Sequence, residues 1–165
     1  MNLKDLGVFA FALAITATQG SAHAGAITFN ETACTVSTAG VASTTCKATA
    51  GGTNYNATLS SWSGSASTAF ATANMFRYDG YGLGISTTNE STSNPQHTVD
   101  NSGNTEAFLI NFGSQNFALN ELSLGYIYND ADVSILRYTG TTAPTLSASN
   151  VSNLKNTTGW EFVGN

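Results

Sequence analysis

Apolar side chains in this chain recur every second residue, in short runs, and almost nowhere at the three-to-four spacing of a helix. Successive side chains of a strand point to opposite faces, so this period puts one face of each run toward a core and the other toward water. Over 121–128, Leu122, Leu124, Tyr126 and Tyr128 share a face, with Ser123 and Gly125 on the other. Over 107–112, Phe108, Ile110 and Phe112 alternate with Ala107, Leu109 and Asn111, and over 133–138, Val133, Ile135 and Arg137 alternate with Ser134, Leu136 and Tyr138. The sequence Asn129-Asp130-Ala131-Asp132 reads as a tight turn, so 121–128 and 133–138 are expected to pair as a hairpin. Weaker strand patterns fall at 26–29, 55–62, 70–78 and 160–163, and the one expected helical piece is a turn or two near 150–154. Many short strands with polar connections imply an all-β fold, an antiparallel β-sandwich or jelly roll.

The source of the chain's polarity narrows its partners. Only 9% of residues are charged, against roughly 25% in an ordinary soluble domain, and Ser, Thr, Asn and Gly supply the polarity instead. Five Lys and Arg against ten Asp and Glu, a net charge of −5, exclude a nucleic-acid binder, which needs clustered cations to neutralise phosphates. A chain that is 41% hydrophobic and 10% aromatic also has the means to bury a core, unlike a charge-driven disordered tail. The polar stretch 89–104, with Pro95, His97, Asp100 and Asn101, reads as a long loop within one domain. Neither flanking half holds enough large apolar residues for a core of its own.

Residues 1–24 read as a secretory signal peptide. Lys4 gives a modest positive start, 6–17 is an apolar run too short to span a bilayer, and Ala22-His23-Ala24 fits cleavage before Gly25. Cleavage removes one charge of each sign, leaving a domain over 25–165 with the same net charge and no expected membrane span. In an oxidising, exported setting the two cysteines, Cys34 and Cys46, are expected to form a disulfide. A zinc site is the weaker reading, because His97 is the sole histidine after cleavage and two further ligands are needed.

Three constellations bear on chemistry. Asp130 and Asp132, joined by Asp100 and Asn101, form an oxygen-rich set that either stabilises turns through local hydrogen bonds or holds a structural calcium ion. Without a full calcium-loop pattern the plain turn is the preferred reading, and no other cofactor is expected. Asp100, Glu106, Asp130 and Asp132 are the carboxylates available to a glycan hydrolase, but no spacing pairs them, and no Gly-x-Ser-x-Gly elbow accompanies His97. The expectation is therefore a non-enzymatic protein. Trp62 and Trp160, among tyrosines at 78, 81, 126, 128 and 138, are the candidates for stacking on sugar rings, although most such aromatics serve the core. Gly80-Tyr81-Gly82-Leu83-Gly84 lacks both the spacing and the following helix of a phosphate loop, and reads as a closely approached strand.

An ordered series runs from Pro95-Gln96-His97-Thr98-Val99-Asp100-Asn101 and Gly103, through the strand at 107–112 and Leu122-Ser123-Leu124-Gly125-Tyr126, to Asp130-Ala131-Asp132-Val133-Ser134-Ile135-Leu136-Arg137-Tyr138-Thr139-Gly140 and Gly159-Trp160. This series resembles the PEP-CTERM, exosortase-dependent surface proteins of Gram-negative bacteria over roughly 94–163. The resemblance implies a non-enzymatic exported protein of the cell surface, with extracellular polysaccharide, biofilm matrix or cell envelope as partner. Such proteins end in a Pro-Glu-Pro motif, an apolar helix and an Arg cluster, whereas this sequence stops at Val163-Gly164-Asn165. The single domain over 25–165 is accordingly expected to be incomplete at its C-terminal side. A dedicated carbohydrate-binding module is the alternative function.

Overall fold

A computed structural model describes residues 15–19, 26–37, 39–87, 99, 104–115, 117–125 and 133–164. The fold is all-β. Its strands are β1 (Ile15–Gln19), β2 (Ala26–Phe29), β3 (Ser43–Ala50), β4 (Thr53–Gly64), β5 (Ala71–Thr72), β6 (Asn74–Tyr78), β7 (Gly82–Ser86), β8 (Thr105–Asn111), β9 (Phe117–Leu122), β10 (Ile135–Tyr138) and β11 (Trp160–Gly164). Two single 3-10 turns, Glu31–Ala33 and Leu154–Asn156, complete the described elements. Every pairing between these strands is antiparallel.

The twelve-residue β4 is the spine. β3 runs along one edge of it, from Ala50 opposite Thr53 to Ser43 opposite Ser60, and β8 runs along the other, from Asn111 opposite Thr58 to Thr105 opposite Gly64. Because Trp62 and Ser63 pair with β8 and also with Thr72 and Ala71, β5 continues the edge that β3 leaves. The β3–β4 hairpin closes through Gly51 and Gly52, at φ 56° and 76°. A two-residue turn with both central φ values positive matches the twist of its flanking strands, and glycine meets that demand without Cβ strain. The remaining sheets are β2-β1-β9, β6-β7 and β10-β11. β1 lies within the stretch 1–24 read as a signal peptide, so cleavage before Gly25 would take it away and leave β2 and β9 without their shared partner.

Alternation along β4 sorts its side chains to two sides. Ala57 and Leu59 face a core that also holds Ile27 and Phe29 of β2, Cys46 of β3, Met75 of β6 and Leu83 of β7. Three sheets thus pack on one apolar cluster, each fully buried side chain of this size contributing about 1.5–3 kcal/mol. On the opposite side Trp62, Ala107 and Leu109 pack with Phe70, Leu146, Leu154, Leu136, Val151 and Trp160. Gly64 is required there: a Cβ at this position would sit 2.9 Å from the Phe70 ring. Backbone bonds from Phe70 N to Ser149 O (2.9 Å) and from Val151 N to Ser65 O (3.2 Å) fasten this second layer.

Among the described residues β9 ends at Leu122 and pairs with β1, and β10 pairs with β11; the expected hairpin of 121–128 with 133–138 turns on residues 126–132, which lie outside the described residues. Cross-strand chemistry supports the β10–β11 pairing. Arg137 lies opposite Glu161, with Nη2 2.6 Å from Oε2, and Tyr138 lies opposite Trp160, with ring centroids 5.2 Å apart. The turn residues 129–132 lie outside the described residues.

Candidate functional site

β5 belongs to the sheet of β4 and β6 to that of β7, so the chain changes sheets at Ala73. The joint is held twice by one residue: Ala73 N donates to Ser61 O (3.0 Å), and Ser61 Oγ donates to Ala73 O (2.8 Å). Beside this joint opens a cleft of about 230 Å³, whose polar lining is Ser63, Thr72, Asn74, Ser86, Thr87 and Asn104. Each of these is a hydroxyl or an amide, and none carries charge. Strand register brings them together, with Ser63 opposite Ala71, Thr72 opposite Trp62 and Asn74 opposite Ser86. Thr72, Asn74 and Asn104 form an exposed rim, while Ser63 and Ser86 lie deeper and are buried.

Ser63 borders this cleft, but its hydroxyl is itself buried and does not open into it. The residue is 9% exposed, and its Oγ has no hydrogen-bond partner among the described residues. Leaving a buried hydroxyl unsatisfied costs about 1–3 kcal/mol. Directly opposite on β8 stands Glu106, a carboxylate only 1% exposed. Burial, and secondarily the charge of Glu106, push the Tyr78 hydroxyl up to about 12. Hydroxyls and amides both donate and accept, so the cleft can hydrogen-bond a neutral polar ligand. Among the described residues its lining supplies neither a nucleophile–base pair nor two facing carboxylates.

The residues singled out by sequence fall in three places. Cys34 and Cys46 are bonded, with Cα atoms 3.9 Å apart, and both side chains are in the core at 2% and 0% exposure. The bridge ties the segment after β2 to β3. Trp62 and Trp160 pack, partly buried, against the same apolar cluster, and Trp62 Nε1 donates to Ser60 Oγ (2.9 Å). Asp100, Asn101, Asp130 and Asp132 lie outside the described residues, as do His97, Tyr126 and Tyr128. Among the described residues no group of three His, Cys, Asp or Glu is placed to hold a metal ion, and no helix is long and apolar enough to cross a membrane.

Sequence reasoning missed Ser63 and Ser86. The signal for the first was present: on a strand whose inward positions are Ala57, Leu59, Ser61 and Ser63, the last two place hydroxyls where an apolar residue is expected. In a chain rich in serine that signal does not stand out. Set against family models, curated proteins and solved structures, the chain matches none.

Proposed function

We propose that this chain is an exported, non-enzymatic β-domain of the cell surface or extracellular matrix that contacts exopolysaccharide, a relative of the PEP-CTERM surface proteins it resembles. The observation that carries this reading is the Cys34–Cys46 disulfide, buried within the main apolar cluster. A structural bridge of this kind persists in oxidising, extracytoplasmic compartments and is rare where thiols are kept reduced. The signal-peptide pattern of 1–24 and the scarcity of charge point the same way. The hydroxyl- and amide-lined cleft supports a neutral, hydrogen-bonding partner over an ionic one.

The test is retention on immobilised exopolysaccharide of the protein recovered from an oxidising compartment. Retention at moderate salt, undiminished when salt is raised, fits contact through neutral groups. Free passage over every glycan tried contradicts the matrix role. Intact mass after alkylation, with and without prior reductant, checks export separately: two alkyl groups should add only after reduction.

A further inference from the structure

We propose that removal of the leader leaves an acceptor slot between β2 and β9, filled by an extended, uncharged segment of another polypeptide that is added as the middle strand. The proposal rests on the export reading above, because cleavage before Gly25 is what creates the slot. In the uncleaved chain β1 occupies it. Ile15 lies opposite Phe29 and Thr18 opposite Ala26 on one side; Ile15 lies opposite Leu122 and Gln19 opposite Phe117 on the other, antiparallel in both cases. Among the described residues neither β2 nor β9 has any other strand partner. Cleavage therefore bares an edge on each, and a bared edge is a row of N–H and C=O groups ready to pair with another chain.

Core packing keeps the slot from closing on itself. β2 and β9 both run antiparallel to β1, so they are parallel to each other and two strand spacings apart, about 10 Å. Side chains hold β2 in place: Ile27 and Phe29 are buried in the main cluster, the Phe29 ring lies 6.0 Å from that of Phe112, and the chain just beyond is stapled at Cys34 to Cys46. β9 is held at Leu122, which packs against two of the buried clusters. Drawing the strands together would pull one of them out of the core, whereas a third strand between them restores both ladders without that movement. β1 itself shows what fits: five residues with no charge and no proline, three of them β-branched. Positions opposite the buried Ile27 and Phe29 suit apolar side chains, and the position opposite the exposed Thr28 takes a polar one. β2 has no charge and β9 only Glu121, within a chain of net charge −5, so an acidic segment is disfavoured. A second copy is a poor donor, since after cleavage every described strand except β2 and β9 is still paired within its own chain. Recognition is then by strand addition, with main-chain bonds giving affinity and alternate side chains giving specificity.

Intact mass of the exported, disulfide-bonded protein first reads where the chain begins. The ¹⁵N-labelled protein starting at Gly25 is then titrated with a capped synthetic peptide of residues 13–21. The peptide should shift the amides of 26–29 and 117–122 saturably and slow their exchange with solvent. The same peptide with Ala17→Pro, which lacks an N–H and does not fit the middle of a sheet, should bind more weakly by about tenfold or more. Thr16→Asp in the peptide, opposite Glu121, should weaken binding severalfold, and less so in high salt. No saturable shift, equal binding of the Ala17→Pro peptide, or β2 and β9 amides already protected in the peptide-free monomer overturns the proposal. So does a dimer in which a second copy protects them. The two levels separate cleanly. A mass that begins at Gly25 with no peptide binding removes the slot and leaves export standing, whereas a mass that still includes 15–19 overturns the cleavage itself, and the slot with it.

Discussion

Leu59 and Ser63 stand on the same face of the same strand, four residues apart, each opposite a residue of β8. Leu59 faces Ile110 and takes part in the core that joins three sheets. Ser63 faces Glu106, so this end of the pair buries two polar side chains opposite one another. One end of the β4–β8 pair is therefore built for stability, and the other accepts the cost of burying polar groups. Nothing in the backbone distinguishes the ends, since the pairing register runs unbroken from Thr58 to Gly64. The side chains alone divide the labour.

Removing the disulfide should break the apolar end most severely. Replacing both Cys34 and Cys46 by Ala should lower unfolding free energy by about 3 kcal/mol, the loop-closure value for a bridge spanning this length. Urea unfolding measures it, and a midpoint unmoved by the double change would mean that this end does not depend on the staple. The polar end should respond to alkali instead. Tyr78 holds its proton up to about 12 in the folded chain and to about 10 when unfolded. Between these values the folded state binds more protons, so stability falls as pH rises from about 10 toward 12. Partial solvent contact screens the effect to the order of 1 kcal/mol, and Tyr78→Phe should abolish it. Glu106→Gln should bring the Tyr78 titration partway back, because burial is the larger cause and remains; ultraviolet titration reads this directly. The smallest effect belongs to the surface of the second layer. Arg137→Ala, which breaks the exposed pair with Glu161, should cost only about 0.2–1 kcal/mol and fade in high salt.

The all-β character was legible because it rests on alternation, which survives in a single sequence. The stretch 107–112 became β8 and 55–62 the centre of β4, while Gly80–Gly84 led into β7 rather than a phosphate loop. β3 escaped notice because its inward residues, Thr44, Cys46, Ala48 and Ala50, are small or polar and carry little hydrophobic signal. The pairing of strands far apart in sequence was not legible. Leu122 and Leu124 alternate well enough to extend a strand, yet β9 stops at Leu122, and β10 takes its partner from more than twenty residues downstream. Pairing over such distances is decided by side chains that meet only in the fold, such as Tyr138 with Trp160. The disulfide was readable from the count of two cysteines. The cleft was not, because it joins Ser63, Asn74, Ser86 and Asn104 from four separate stretches, and a serine on a strand has no motif.

The division of labour along β4 can be measured with two substitutions made side by side. Leu59→Ala should destabilise the protein by about 2–5 kcal/mol, the cost of a core cavity. Ser63→Ala removes a buried hydroxyl with no partner among the described residues, so its urea midpoint should match or slightly exceed that of the wild type. A loss of stability in Ser63→Ala comparable to that of Leu59→Ala would contradict the account, because Ser63 would then be holding the fold together as the apolar core does.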